Sequence, residues 1–394
     1  MKIILFTASY PYGSGEAFIE TELDVISKHV EHIYLVPMNI QGAARPIDYM
    51  NVRVIDIHSY DIRNSKVNLS FFEKTRILLT EWFRSNTSLK FIRYDLKLLR
   101  NSESVAKKLS IWLRNTDVKD GVFYSYWFDE WTSALAILKM NGLVSSYISR
   151  AHGFDLYCER HLRNQIPLRF FHFKHIDRVF VISKEGQHYL EHKFPEYNGK
   201  IDLSYLGTLD YGLGIRPIPN DIHIVSCSVV KPIKRVSAIF KIIEGIPNAH
   251  WTHIGAGEEF EELREQVNNS EHCSRVTLKG AMNHNEVMGF YAKNAITCFI
   301  NLSESEGLPV SIMEAISFGI PIIATNVGGA SEIVTEQTGL LLPAYPQIDE
   351  ARQSLISLLH QINKGFFPSQ TIRDFWKIHF DAKINYRNFI DQLV

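Results

Sequence analysis

Several features that would place a chain in a special class are missing from this sequence. Its four cysteines form no CxxC pair and no cysteine–histidine ligand spacing, so neither a disulfide framework nor a zinc site is indicated. No apolar run approaches the roughly 18 residues of a membrane-spanning helix. The apolar run at the N-terminus is too short for a signal peptide. We therefore expect a cytoplasmic protein without a spanning helix.

An excess of charge of either sign is also missing. The 42 Lys and Arg residues and the 43 Asp and Glu residues give a formal net charge of −1. This balance argues against a general polyanion binder, so no nucleic-acid partner is predicted. The sequence does contain 45% apolar and 22% charged residues over 394 positions. That composition is typical of a globular protein of two or three domains.

Short strands alternate with helices from the N-terminus onward. Lys2–Phe6 is predicted to be a buried strand, followed by a loop, a helix over about 17–29 and a second strand at His32–Pro37. This order predicts a doubly wound α/β domain. Gly13 and Gly15 lie in the loop at the carboxyl end of the first strand, where such sheets bind ligands. An ordinary strand-to-helix turn would explain the two glycines as well.

Glycines mark two further places along the chain. Gly255-x-Gly257 follows a predicted strand, but no third glycine comes at the spacing of a dinucleotide fingerprint, which argues against a dehydrogenase. The segment 207–219 is rich in glycine and proline without periodicity, and it predicts a hinge between two domains. The second domain is expected to begin with a strand at Ile222–Ser228.

The most informative stretch is Asn301–Pro343. Glu306 and Glu314 lie eight positions apart in it, and the turn between them is predicted to open a buried helix over Val310–Phe318. A glycine turn at a helix start suits a phosphate, because backbone N–H groups and the positive end of the helix dipole meet there. Carboxylates repel phosphate but accept hydrogen bonds from sugar hydroxyls. The stretch therefore predicts binding of a nucleotide sugar.

The motifs of this stretch together carry a resemblance to a known family. Glu306-x7-Glu314, with Gly328-Gly329-x2-Glu332 and then Gly339-Leu340-Leu341, resembles the signature of family 4 retaining glycosyltransferases of the GT-B fold. The resemblance implies two Rossmann-like doubly wound α/β domains that face a central cleft. It implies an acceptor domain at 1–206, a nucleotide-sugar domain at 207–370 and a C-terminal helix at 371–394 that crosses back to the first domain.

The resemblance also implies roles for particular residues. The catalytic residues would be His152 beside the donor sugar, Lys234 at the leaving diphosphate and Glu306 at the hexose hydroxyls, while Glu314 would hold ribose. The implied donor-binding residues are Gly13, Gly15, Lys231, Arg235, Gly255, Gly280, Ala281, Met282, Gly307, Leu308, Pro309 and Glu314. No Asp-x-Asp occurs in the chain, which fits GT-B enzymes that use no metal, so no metal site and no cofactor are expected.

One position departs from the family pattern. Val229 stands where the family has an arginine at the donor diphosphate, five residues before Lys234. Either Lys231 or Arg235 would have to supply the missing positive charge. If neither does, the chain would be a catalytically silent GT-B subunit that binds a partner. A nucleotide-sugar epimerase or a phosphorylase of the same architecture is a further alternative.

The activity implied is retaining transfer of a hexose from a nucleoside-diphosphate sugar, with UDP favoured over GDP. The acceptor would be a glycan or a polyprenyl-diphosphate-linked saccharide in the synthesis of a bacterial surface polysaccharide. Acceptor recognition is expected in the first half of the chain, where such enzymes diverge.

The stretch 61–117 differs from the rest of the chain in charge. It holds 12 Lys and Arg residues against six Asp and Glu residues, a net charge of +6. Interleaved with these charges in predicted helices are Phe71, Phe72, Trp82, Phe83 and Phe91. Basic helices with bulky apolar residues lie on anionic membrane surfaces, so peripheral contact with the inner leaflet is predicted. Packing of the aromatic residues into the domain core explains the pattern equally well.

Overall fold

The computed structural model describes residues 1–13, 15–16, 18–85, 91–161, 163–215, 217 and 221–393. The chain divides into two compact units, one of Met1–Ser204 with Arg387–Val394 and the other of Tyr205–Tyr386. The sequence had placed its boundaries at 206 and 370, with the whole of 371–394 on the first domain. In the structure residues 371–386 group with the second unit.

The first unit is built around one parallel sheet. Its strands are β1 (Lys2–Thr7), β2 (His32–Pro37), β3 (Val52–Val54), β4 (Val122–Ser125), β5 (Tyr147–Ala151), β6 (Arg178–Val181) and β7 (Ile201–Leu203). Its helices are α1 (Phe18–Ile26), α2 (Phe71–Ser85), α3 (Ile92–Arg114), α4 (Glu130–Met140), α5 (Arg169–His175) and α6 (Lys184–Lys193). Over the described residues the strand order is β3-β2-β1-β4-β5-β6-β7. The central strands are buried on both faces, which explains their continuous apolar sequence.

The second unit repeats this plan. Its strands are β8 (Ile222–Cys227), β9 (Ala249–Ile254), β10 (Val276–Leu278), β11 (Cys298–Asn301), β12 (Ile322–Thr325) and β13 (Gly339–Leu342). The helices that follow β8 are α7 (Val236–Glu244), α8 (Phe260–Asn268), α9 (His284–Lys293), α10 (Val310–Ser317), α11 (Ala330–Ile333), α12 (Ile348–Asn363), α13 (Ser369–His379) and α14 (Ala382–Asp391). In the described part of this unit the strand order is β10-β9-β8-β11-β12-β13, and the paired strands are parallel.

Each sheet has one point at which the strand order reverses. It lies between β1 and β4 in the first unit and between β8 and β11 in the second. In open α/β sheets, ligands bind beyond the carboxyl ends of the strands at such a point. The predicted doubly wound fold is confirmed, and it directs attention to the loops that follow these four strands.

Local signals in the sequence located several helix ends well. The Ser183 hydroxyl accepts a hydrogen bond from the Gly186 N–H at 3.0 Å and caps α6. Helix α10 begins directly after Pro309, and Gly319 beyond its end has φ +77°, a conformation that glycine adopts without strain. Strand β10 ends at Leu278, and Gly280 shortly after it has φ +70°, which a strand does not accommodate.

The segment predicted as a hinge is held firmly within the second unit. Gly207 lies against the backbone of Ala382, so closely that a Cβ would come within 2.4 Å of its Cα. Thr208 donates its N–H to Phe380 and accepts the Trp376 indole N–H at 2.8 Å. The end of this segment, with Arg216 and residues 218–220, lies outside the described residues. Among the helices that the structure describes, none has the length and hydropathy needed to cross a bilayer.

Candidate active site

The reversal point of the second sheet brings together two of the predicted catalytic residues. Lys234 follows β8 and Glu306 follows β11, and the lysine Nζ lies 2.6 Å from the glutamate Oε1. The two loops are tied by a backbone hydrogen bond from Glu304 to Ile233. Both side chains are mostly buried, with 20% of Lys234 and 12% of Glu306 exposed. A cation and a carboxylate therefore occupy the place where this type of sheet binds its ligand.

The paired glycines support the Glu306 loop from behind. Gly329 donates its N–H to the Gly307 carbonyl at 2.7 Å. Gly328 has φ +52°, and a Cβ there would come within 2.1 Å of the Glu306 carbonyl oxygen. The turn after β12 can approach this loop only without a side chain. Glu332, three residues beyond Gly329, accepts the Tyr205 hydroxyl at 2.6 Å.

Glu314 lies on α10, the helix that follows the Glu306 loop. Its Oε1 is 3.3 Å from Nδ1 of His284, the first residue of α9. Burial raises the pKa of the nearby Cys227 thiol to about 12, and the negative charge of Glu314 adds to the effect. Only 11% of the Glu314 side chain is exposed. The carboxylate is held between α9 and the end of β8, with part of it accessible to a ligand.

The glycines after β9 have a structural role that the sequence did not reveal. Gly255 donates its N–H to Gly280 at 2.8 Å, which joins the loops after β9 and β10. A Cβ on Gly255 would come within 1.9 Å of the Ser228 carbonyl, and one on Gly257 within 2.2 Å of the Val230 carbonyl. The pair thus allows this turn to lie against the loop after β8. Ala281 and Met282 continue the joined loop toward α9.

The basic loop after β8 offers two different substitutes for the absent arginine. Val229 and Lys231 are exposed. Arg235, which has φ +52°, precedes α7, and its guanidinium donates to the carbonyls of Ala344 and Pro346 at 3.4 and 3.5 Å. Arg235 is therefore engaged with the β13–α12 connection. Lys231 is the more accessible of the two cations.

In the first unit, the Glu16 carboxylate lies between the loops that follow β1 and β4, where the strand order reverses. The carboxylate accepts N–H groups of Ala8, Ser9 and Tyr10 at 2.6 to 3.0 Å. It also accepts the indole N–H of Trp127 at 2.6 Å from the loop after β4. Three successive backbone amides at the end of a strand form an anion site, and here a side chain of the protein occupies it. Gly13 and Gly15 lie in the loop that Glu16 closes, whereas Ser14 lies outside the described residues.

His152 follows β5 and lies beside the same loops. Its ring is 4.7 Å from the Tyr126 ring and 4.6 Å from the Trp127 ring, between centroids. Asp155 accepts the His152 N–H at 2.8 Å and the Phe128 N–H at 2.8 Å. Burial alone would raise the pKa of Asp155, but the hydrogen bond and charge of His152 and the backbone donors hold it below its usual range.

Sequence reasoning assigned no role of their own to three residues that organise these sites, namely Glu16, Asp155 and His284. A carboxylate directly after Gly13-Ser14-Gly15 was a signal for the first, and the His152-Gly-x-Asp155 spacing was a signal for the second. His284 carried no signal, because only the chain fold brings α9 beside α10. The grouping of Lys234 with Glu306 was implied by resemblance, and the structure places them together.

The two doubly wound parallel units define the fold of GT-B glycosyltransferases. The galactosyltransferase WaaB of the lipopolysaccharide outer core, in its apo form, superposes with a TM-score of 0.69 at 15% identity, over 100% of this chain and 99% of that one. Anabaena HepE in complex with UDP superposes with a TM-score of 0.71 at 14% identity, over 100% and 99%. At sequence identities this low, the structural similarity establishes a shared fold and nothing more.

The second unit also resembles known proteins in sequence. Residues 219–364 match the family model described as Glycosyl transferases group 1. The O-antigen biosynthesis glycosyltransferase WbnH of Escherichia coli is 33% identical over 109 residues, which are 28% of this chain and 30% of WbnH. This chain thus matches less than a third of the length of that relative. Lys234, Glu306 and Glu314 all lie within residues 219–364.

Proposed function

We propose that the chain is a retaining glycosyltransferase that moves a hexose from a nucleoside-diphosphate sugar to a glycan or lipid-linked acceptor. The observation that carries the proposal is the contact of 2.6 Å between Lys234 and Glu306 at the reversal point of the second sheet, within the residues that match the Glycosyl transferases group 1 model. Because HepE, which has the same fold, was solved with UDP, UDP is favoured as the nucleotide. WbnH is named for O-antigen biosynthesis, which supports a surface-polysaccharide acceptor.

In this proposal, different residues of the second unit bind different parts of the donor. Glu314 accepts hydrogen bonds from the ribose hydroxyls, and Glu306 accepts them from the hexose hydroxyls. Lys234, already held beside Glu306, stabilises the negative charge that develops on the leaving diphosphate. The amides of Gly307 and Leu308 and the start of α10 after Pro309 face the sugar or phosphate. No covalent enzyme intermediate and no metal ion are needed.

The bond changes follow from retention of configuration. The bond between the anomeric carbon and the diphosphate oxygen breaks, and the acceptor hydroxyl oxygen bonds to the same carbon on the same face. The hydroxyl proton passes to the departing diphosphate. His152, from the first unit, is proposed to contact the donor sugar near the reacting carbon, in an aromatic setting that limits access of water.

The first test is calorimetric titration of UDP, GDP and ADP into the protein without metal, and into Glu314→Ala. One nucleotide is expected to bind, and its affinity should fall at least about tenfold in the variant because the ribose hydroxyls lose their acceptor. Glu336→Ala, which removes an exposed glutamate on the loop after α11, is the matched control and should bind normally. Binding of no nucleotide would contradict the donor site.

A catalytically silent donor-binding subunit is the second candidate, and Val229 favours it. Such a subunit would bind the nucleotide as expected but release no nucleoside diphosphate with any acceptor. An epimerase would convert the nucleotide sugar without an acceptor, and a phosphorylase would consume orthophosphate. Product analysis in excess chelator, with and without acceptor, separates these outcomes from transfer.

A further inference from the structure

One face of α2 exposes large apolar side chains to solvent. The exposed fractions are 84% for Phe71, 84% for Phe72, 44% for Leu79 and 70% for Phe83, and these four residues are called the α2 ridge below. The opposite face of the helix is buried through Ile77. The aromatic residues of the ridge therefore do not serve the core, as one explanation of the sequence had supposed. Large apolar groups exposed together on a surface mark an interaction site.

The ridge borders a groove that has both apolar and basic walls. A cavity of about 640 Å³ runs along α2 and is lined by the ridge together with Arg76 and Arg84. A second cavity of about 320 Å³ lies next to it and shares these two arginines, adding Lys174 and His175 from the end of α5. The apolar surface and the positive charges thus belong to one continuous area of the first unit.

Several cations surround His175, which is half-buried beside this area. The pKa of His175 is lowered to about 4, by burial and then by the charges of Lys174, Lys139, Lys200 and Arg76. The nearby Glu81 does not offset these charges, because burial raises the pKa of its carboxyl to about 8 and keeps it protonated at neutral pH. Arg84 is paired with Glu196, so Arg76 and Lys174 carry most of the outward positive charge. The following helix, α3, adds further exposed cations at Arg93, Lys97 and Arg100.

We propose that the α2 ridge docks on an anionic phospholipid bilayer. Its phenyl rings enter the boundary between headgroups and acyl chains, while Arg76 and Lys174 meet lipid phosphates. This combination of bulky apolar groups with flanking cations is the one that binds anionic interfaces. A second copy of the chain fits less well, since a two-fold contact over the ridge would place Arg76 opposite its own symmetry mate.

Docking is independent of the proposed glycosyl transfer. It requires no donor and no acceptor, and the ridge lies on α2, outside the residues assigned to either reversal point. If docking is correct, the first unit is held at the surface where lipid-linked saccharides are found. A soluble acceptor would then be used equally well with or without the ridge.

The test is co-sedimentation of the full chain with vesicles of phosphatidylcholine alone and with added phosphatidylglycerol. The native protein is expected to bind the anionic vesicles, and its binding should weaken at high salt. Phe71→Ser combined with Phe72→Ser should reduce that binding by about tenfold or more, and Arg76→Glu should reduce it for anionic vesicles. Phe366→Ser with Ile378→Ser removes two similarly exposed apolar residues of the second unit (64% and 69%) and is the control.

Each result decides the proposal. Loss of binding in the ridge variant alone, with an unchanged thermal midpoint, supports it. Three results would overturn it. The native protein could bind neutral vesicles as well as anionic ones, the ridge variant could bind as well as the native protein, or the control variant could lose as much binding as the ridge variant. Light scattering adds one more outcome: a native dimer that the ridge variant converts to a monomer would assign the ridge to a second copy and overturn docking on lipid.

Discussion

Lys234 is the residue on which the proposed chemistry depends most. Its ammonium lies 2.6 Å from Glu306. Val229, five residues earlier, carries no charge at the position where the resembled family has an arginine. A fixed cation at a developing anion stabilises the transition state more than the bound donor. Lys234→Ala is expected to lower kcat of transfer by about 10²–10³-fold with a smaller change in KM. Initial-rate kinetics with the natural donor measure this.

Neighbouring cations give the controls for that variant. Lys241→Ala removes an exposed lysine of α7 and should leave the rate unchanged. Lys231→Ala should slow transfer more than Arg235→Ala, since the Arg235 guanidinium already serves the carbonyls of Ala344 and Pro346. Full activity of Lys234→Ala would show that the diphosphate lies elsewhere.

Glu16 changes the interpretation of the glycine loop after β1. The loop with Gly13 and Gly15 is predicted to approach the donor phosphate. The three amides after β1 that would suit an anion are bound to the Glu16 carboxylate. A phosphate approaching this loop would have to use other donors of the loop or displace the glutamate.

At the scale of elements, helix α2 carries a buried carboxyl group with a consequence for stability. Burial raises the pKa of Glu81 to about 8, and the charge of Asp95 contributes while the Phe171 N–H, 2.6 Å away, opposes the shift. A folded-state pKa above the unfolded value means that the folded protein binds the extra proton. The free energy of unfolding therefore falls as pH rises from about 4.5 to about 8.

Glu81→Gln removes this dependence. The stability of the variant relative to the parent is expected to grow by about 3 kcal/mol between pH 4.5 and pH 7, since each pH unit in that window is worth about 1.4 kcal/mol. Urea unfolding at several pH values measures the difference. The comparison between pH values cancels any fixed cost of the buried amide.

Glu73 on the same helix provides the matched control. Hydrogen bonds from Ser70 hold its pKa below the usual value, so its contribution is present at neutral pH and lost as pH falls. Glu73→Gln should therefore show a relative stability that declines with rising pH. An identical profile for the two variants would mean that Glu81 is ionised in the folded protein.

At the scale of the whole molecule, the chain returns to the first unit after residue 386. Phe389 is fully buried. Its ring lies 5.2 Å from that of Tyr124 and 5.0 Å from that of Phe180, while the Arg150 guanidinium lies 4.3 Å above it. Arg150 also donates to the Tyr124 hydroxyl at 2.8 Å and to the Ser204 carbonyl at 2.9 Å. The last residues of the chain thus complete the core of the first unit.

Phe389→Ala is expected to destabilise the first unit by about 3–5 kcal/mol, because it leaves a cavity and exposes the buried Arg150 network. Hydrogen exchange followed by mass spectrometry measures the loss of stability in each unit separately. Peptides that cover β4 and β6 should lose protection, while those that cover β11 and β12 should not. Ile384→Ala, on the same helix but 44% exposed, should change neither set, and equal loss in both units would contradict the prediction.

Much of the fold was predictable because its signals are local. Apolar runs of four to six residues marked β1 and β2, and Pro309, Gly319 and Ser183 marked helix ends through the backbone conformations and caps they favour. The spacing of Glu306 and Glu314 pointed to the donor site through a resemblance rather than through geometry. Such signals act within a few residues, so the sequence by itself determined the elements, their order and the doubly wound class.

Only the tertiary structure decided which distant residues meet. Lys234 and Glu306 are 72 positions apart, and Glu16 and Trp127 are 111 apart. They come into contact because β8 lies beside β11 and β1 beside β4. The same holds for exposure: the periodicity of α2 cannot tell which of two apolar faces is covered, and the burial of Ile77 left the α2 ridge in solvent. Sequence period determines a helix, but contact and solvent exposure depend on what the rest of the chain places against it.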